Sequence, residues 1–217
     1  MITAVLFDLD GTLADTAPDL GLALNRLLAE EGYPRQDYSD IRPTASHGAR
    51  GLIELGFGIG PDHPDFIRLR ARFLELYEAC YCEETKLFDG MDTLLQVISE
   101  RGLAWGIITN KPARFTDLLV AALPLCPPPA VVVSGDTVGA AKPDPRPMYH
   151  ATELLGIAPE NCLYVGDAER DIEAGRNVGM TTVLADYGYI SPSDHPHEWG
   201  ADIRIAHPLE LIAHLPT

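Results

Sequence analysis

Asp8 and Asp10 stand two residues apart in Asp8-Leu9-Asp10-Gly11-Thr12, immediately after the apolar run Thr3 to Phe7. A second acidic group, Gly166-Asp167 and then Asp171, follows another apolar run, Cys162 to Val165. An Asp-Gly pair at a strand end is on its own an ordinary turn, and one acidic residue there an ordinary cap or bend. Two acidic groups, each closing a buried strand, mean more. The carboxyl edge of an open parallel sheet is where ligands bind, and carboxylates crowded on it repel one another unless a cation joins them. A hard ion that prefers oxygen, magnesium above all, suits that donor set. Asp171 comes one helical turn after Asp167, which places the two on one face.

Two further strand ends add complementary groups. Ile108 leads into Thr109-Asn110, and the run Ala130 to Val133 is followed by Lys142-Pro143. A hydroxyl, an amide and an ammonium beside a carboxylate-bound metal make a receptor for a phosphoryl group. Lys142 by itself reads equally well as a surface lysine.

These groups need a scaffold, and the chain spells one out. Apolar runs rich in Val, Ile and Leu recur at Thr3–Phe7, Ala104–Ile108, Ala130–Val133, Cys162–Val165 and Thr181–Leu184, without polar alternation, as strands covered on both faces require. Helical patterns lie between several of them: Met91, Leu94, Leu95 and Ile98 before Gly102, Pro147–Leu155 before Gly156, and Asp171–Val178 before Gly179. The alternation predicts an α/β fold, a Rossmann-like, doubly wound parallel sheet with helices on both faces. From Thr16 to Lys86 the alternation stops and only helix patterns remain. One starts at Pro18, carries Leu20, Leu24, Leu27 and Leu28, and stops at Gly32; another begins near Pro64 and shows Phe66, Phe73, Leu74 and Tyr77, read as core. The expected division is a core of residues 1–15 and 87–217 with a helical insertion of residues 16–86. The stretch Leu123–Pro129, with four prolines, is expected as a surface connection.

Composition removes several alternatives. With 32 acidic against 16 basic residues the formal charge is −16, a surface that repels phosphate backbones and argues against nucleic-acid partners. No apolar stretch approaches the roughly 20 residues that a spanning helix needs, so no membrane partner is expected. The first residues show no secretory pattern, and the four scattered cysteines suggest no disulfide framework or metal site. Together these predict a cytoplasmic protein.

The four pieces, Asp8-x-Asp10-Gly11-Thr12, Thr109, Lys142 and Gly166-Asp167-x-x-x-Asp171, resemble in their order the four motifs of the haloacid dehalogenase superfamily, over essentially the whole chain. The insertion resembles that family's mobile cap. The resemblance implies a magnesium-dependent phosphatase in which Asp8 is the nucleophile and becomes an aspartyl phosphate. The resemblance likewise implies that Asp10 would protonate the leaving alcohol and then deprotonate water. By the same resemblance an Asp8 oxygen, the Asp10 carbonyl and Asp167 would hold Mg2+, with Asp171 behind them, while Thr109, Asn110 and Lys142 would meet the phosphoryl group. The dehalogenase branch lacks an aspartate at the position of Asp10, and the phosphonate-cleaving branch needs a cap lysine where this chain has only Lys86, at the boundary. A sugar-phosphate mutase shares all four motifs, and a catalytically idle binding protein of the same fold is the alternative outside enzymes.

In the insertion, Thr44-Ala45-Ser46-His47-Gly48-Ala49-Arg50 resembles the loop by which caps of the phosphoglycolate-phosphatase-like group reach the site. Arg50 is expected to bind a substrate carboxylate and Ser46 or His47 substrate hydroxyls. The alternative is that Ser46 caps the next helix and Arg50 is solvated. The narrower likeness, in Gly106–Pro112, Tyr187–Ile190 and Trp199–Asp202, is to a branch acting on a sugar-acid phosphate, with phosphoglycolate as the alternative substrate.

Overall fold

The computed structural model describes residues 1–216. The apolar runs form strands β1 (Ala4–Phe7), β4 (Ala104–Ile108), β5 (Val131–Val133), β6 (Cys162–Gly166) and β7 (Thr181–Ala185), joined by β8 (Ile203–Ile205). Their order is β5-β4-β1-β6-β7-β8, and every neighbouring pair is parallel. Side chains alternate across the sheet as the pleat demands. Val5 and Phe7, Trp105 and Ile107, and Leu163 and Val165 enter one core layer, while Ala4, Leu6, Ile108, Cys162 and Tyr164 enter the other.

Helix α5 (Met91–Glu100) covers the first face with Met91, Leu94, Leu95 and Ile98, helped by Leu119 of α6 (Ala113–Ala122) and the C-terminal 3-10 turn Pro208–His214. Helices α7 (Arg146–Leu155) and α8 (Glu169–Asn177) cover the second with Met148, Ala151 and Ala174. Gly156 ends α7 at φ +65°, a left-handed stop that costs a residue without Cβ little. Truncating a strand residue such as Leu6, fully buried between layers, carries a penalty of about 2–5 kcal/mol.

The register positions the site. Phe7 stands opposite Ile107 on one side and Val165 on the other. The residues that follow the ends of these three strands, Asp8 after Phe7, Thr109 after Ile108 and Asp167 after Gly166, therefore emerge at one edge.

The chain leaves and re-enters the sheet region through a two-stranded antiparallel ribbon, β2 (Ala14–Asp15) and β3 (Lys86–Leu87), in which Asp15 pairs with Lys86. Between them lie α1 (Ala17–Glu30), α2 (Tyr38–Thr44), α3 (Gly48–Phe57) and α4 (Phe66–Glu78). Leu20, Leu24, Leu27 and Leu28 of α1 pack with Phe66, Phe73 and Tyr77 of α4, and the same cluster takes in Phe115 and Tyr189 from the sheet-bearing part. The polyproline stretch lies between α6 and β5. Neither the ribbon nor β8 stands out in the sequence: two residues give no period, and Ile203-Arg204-Ile205 alternates as an edge strand does.

Candidate active site

At the sheet edge the acidic residues surround one buried lysine. Lys142 Nζ lies 2.9 Å from Asp8 Oδ1 and 2.7 Å from Asp171 Oδ1, with no exposed side-chain surface. The same ammonium donates to the Ile108 carbonyl at 2.9 Å and to the Tyr164 hydroxyl at 2.7 Å. It is thus no surface lysine, and its charge offsets two carboxylates that water cannot reach. Burial nonetheless holds the Asp8 carboxyl above the ordinary range, against the pull of Lys142.

Asp167 is bound on both oxygens: Thr12 Oγ1 donates to Oδ1 at 2.9 Å and the Tyr189 N–H to Oδ2 at 2.8 Å. Gly11 lets it come so close. A Cβ at Gly11 would stand 2.3 Å from Asp167 Oδ2, and the residue has φ +84°. Burial, Asp171 and Asp8 together push the Asp167 carboxyl up to about 7. Asp171 sits behind, at the third position of α8, where Oδ2 accepts the Ala168 N–H at 3.0 Å. The two aspartates therefore do not share a helix face, because Asp167 precedes the helix; the strand exit and the helix start fold them onto one spot. One oxygen each of Asp8, Asp167 and Asp171 lie within 4.8 Å of one another. Three buried carboxylates against the Lys142 ammonium and the nearby Arg170 guanidinium still form an all-oxygen donor set with surplus negative charge, which fits a hard divalent cation.

Thr109 is buried and its Oγ1 accepts the Lys111 N–H at 3.1 Å. The side-chain amide of Asn110 is committed elsewhere, donating to the Lys142 carbonyl at 3.0 Å and accepting the Lys142 N–H at 2.8 Å. It holds Lys142 in place, so only the Asn110 backbone N–H remains for a phosphoryl oxygen. Asp10 Oδ1 accepts from Thr16 Oγ1 at 2.5 Å and from Lys111 Nζ at 2.8 Å.

Above these groups opens a cleft of about 600 Å3 between the sheet edge and helices α1, α3 and α4. Asp8, Asp10, Thr109 and Lys111 line its floor, and Ser46, His47, Arg50 and Arg70 the side formed by the inserted helices. Leu20, Phe73, Leu74 and Phe115 give it an apolar wall. Ser46 does not cap α3. It lies in the 3-10 turn Ala45–His47, α3 starts at Gly48 without a side-chain cap, and the Ser46 carbonyl and hydroxyl accept from Arg170 Nη2 at 2.7 and 3.0 Å. His47 and Arg50 are exposed on the cleft rim.

Four contributors escape a reading of the sequence by motif. Lys111 and Arg170 stand inside the motif strings, one residue after Asn110 and one before Asp171, and that adjacency was the available signal. Tyr164 is one more apolar-run residue in the sequence, and Arg70 one of several arginines on α4.

A model of the haloacid dehalogenase-like hydrolases matches residues 5–185, and the chain belongs to that family of enzymes. Among its relatives, an N-acetylmuramic acid 6-phosphate phosphatase from Pseudomonas putida is 44% identical over 97% of this chain and 94% of its own. A phosphoglycolate phosphatase from Xanthomonas campestris pv. campestris is 40% identical over 96% of this chain and 94% of its own. The crystal structure of a predicted phosphoglycolate phosphatase from Haemophilus somnus superposes with a TM-score of 0.85 at 22% identity, covering 98% of this chain and 97% of the other, and shares the fold.

Proposed function

We propose that this phosphatase hydrolyses phosphomonoesters through an aspartyl phosphate on Asp8, with magnesium in the carboxylate cluster, and that its substrate is N-acetylmuramic acid 6-phosphate. The observation that carries the mechanism is a shared asymmetry of two aspartates. Asp8 Oδ1 is held by the Leu9 N–H at 2.8 Å and by Lys142, and Asp10 Oδ1 by Thr16 and Lys111. Among the described residues, the Oδ2 atom of each has no protein donor.

Asp8 Oδ2 attacks phosphorus while the ester P–O bond breaks, and the leaving oxygen takes its proton from Asp10. Asp10 then takes a proton from water, whose oxygen attacks the same phosphorus and frees the Asp8 carboxylate and inorganic phosphate. Asp8, the Asp10 carbonyl and Asp167 would hold the magnesium, which supplies charge to bring two anions together. The N–H of Asn110 and the Thr109 hydroxyl meet phosphoryl oxygens, while Lys142, whose N–H groups are already bound by protein oxygens, offsets charge from beneath Asp8.

Helices α1–α4, within residues 16–86, are proposed to act as a cap that closes over the site and excludes water. A cleft of about 600 Å3 with an apolar wall and an arginine rim suits a sugar acid far better than a two-carbon acid. The 44% identical relative of that name supports the same choice. The fold's four cysteines are all free thiols, in keeping with a cytoplasmic setting. The test is a side-by-side measurement of kcat/KM for N-acetylmuramic acid 6-phosphate, 2-phosphoglycolate and glucose 6-phosphate, with and without magnesium. The sugar acid is expected to lead by at least about tenfold, or about 1.4 kcal/mol. Preference for phosphoglycolate would replace the substrate, and equal turnover of glucose 6-phosphate would mean that no carboxylate is read.

A further inference from the structure

Lys111 is bound less completely than its surroundings require. Its side chain is 8% exposed, and Nζ donates to one oxygen among the described residues, Asp10 Oδ1. An ammonium has three N–H bonds, so beyond the one on Asp10 there are N–H groups left to serve an acceptor in the cleft whose floor Lys111 lines. The other neighbour is the ring of Tyr77 from α4, whose centroid is 4.7 Å from Nζ. The Tyr77 hydroxyl is buried and has no hydrogen-bond partner among the described residues. The cap therefore presents the face of the ring to Lys111, a contact that holds a cation in place without using up its donors. Lys142, by contrast, meets four oxygens.

We propose that Lys111 is an anchor for the leaving group, taking an acceptor oxygen carried on the carbon next to the one that bears the phosphate ester. This rests on the reading of Asp10 as the leaving-group acid. If the ester oxygen meets Asp10 Oδ2, it lies about one carboxylate width from the oxygen that Lys111 already holds. At a hydrogen-bond length of about 2.8–3 Å, Nζ then reaches an atom a few bonds beyond the ester oxygen. The ring oxygen of a hexose 6-phosphate and the carboxylate of a glycolate-type acid both occupy that place. A plain alkyl phosphate has nothing there. The anchor thus defines a substrate class, phosphate esters of alcohols with a neighbouring oxygen, while the cap rim chooses among its members.

The experiment compares matched esters on the enzyme: tetrahydropyran-2-ylmethyl phosphate against cyclohexylmethyl phosphate, which differ only in the ring oxygen, and 2-phosphoglycolate against ethyl phosphate. Loss of the Asp10 partner in Lys111→Met slows both members of a pair alike, so the ratio of their kcat/KM values isolates the anchor. For the better pair, the wild-type ratio is expected to exceed about tenfold and to fall by about tenfold in Lys111→Met, with a smaller fall in Lys111→Arg, which keeps a charged donor. A wild-type ratio near one overturns the anchor whether or not the variants fold, and so does a ratio that Lys111→Met leaves unchanged. Failure to hydrolyse any of the four esters with magnesium present removes the phosphatase reading itself, a result distinct from hydrolysis of all four without discrimination.

Discussion

The acidic pocket at the sheet edge and the cleft beneath the helices differ in how their polar groups are used. In the pocket nearly every polar atom has a protein partner: Lys142 meets four oxygens, Asp167 is bound on both sides, and Asn110 spends its amide on the backbone of Lys142. On the cleft rim His47, Arg50 and Arg70 are exposed. Groups that act on the phosphoryl moiety do the same task for every substrate and gain from being fixed in advance. Groups that read the leaving group complete their contacts only when it arrives. The pocket should therefore break in kcat and in stability, and the rim in KM.

Asp8→Asn should show the largest effect, a loss of at least about 10^4 in kcat, because a carboxamide is a poor nucleophile. Its melting temperature should hold or rise, since a repelling buried charge is gone; calorimetry beside steady-state kinetics checks both. Lys142→Met leaves Asp8 and Asp171 buried without their cation and should cost about 3–5 kcal/mol in urea unfolding. An Arg50→Ala or Arg70→Ala enzyme should raise KM for the preferred ester by about tenfold while kcat stays within about threefold. If either arginine variant loses kcat as Asp8→Asn does, the contrast between the two regions is wrong.

The smallest expected effect concerns pH. The folded Asp167 carboxyl is raised to about 7, above its unfolded value. Its ionisation therefore costs the metal-free protein stability, progressively as pH rises from about 4 through 7. Added magnesium should raise the melting temperature more at pH 8 than at pH 5.5. The difference between wild type and Asp167→Asn in metal-free buffer isolates this group from the surface carboxylates. No change in that difference across the range would remove Asp167 from the linkage.

Five strands and the principal helices were legible because each is a long apolar or periodic run, and the residues directly after three of the strands, Asp8, Thr109 and Asp167, inherit their placement from the register. Lys142 was legible only through its place among the four motifs, being nine residues beyond β5. What could not be read is what arrives from across the fold. The Tyr164 hydroxyl on Lys142, the Arg170 guanidinium on Ser46 and the Tyr77 ring on Lys111 join residues 22, 124 and 34 positions apart in the chain. No local period encodes such pairs. The Asn110 side chain shows the same limit from the other direction: its position was expected, but its partner diverts it from the phosphoryl group to the backbone.

The ribbon Ala14–Asp15 with Lys86–Leu87 brings both crossings of the chain side by side. The 70 residues from 16 to 85 thus hang from a single doorway whose two posts are already paired. Closing such a loop depends little on its length, because the entropy of joining ends grows only slowly with the number of residues between them. The helices are in this sense an exchangeable fitting: another insert that begins and ends at paired residues would leave the parallel sheet and its register untouched. The cost of exchange would fall at Phe115 and Tyr189, which the present helices cover and a substitute would have to cover again.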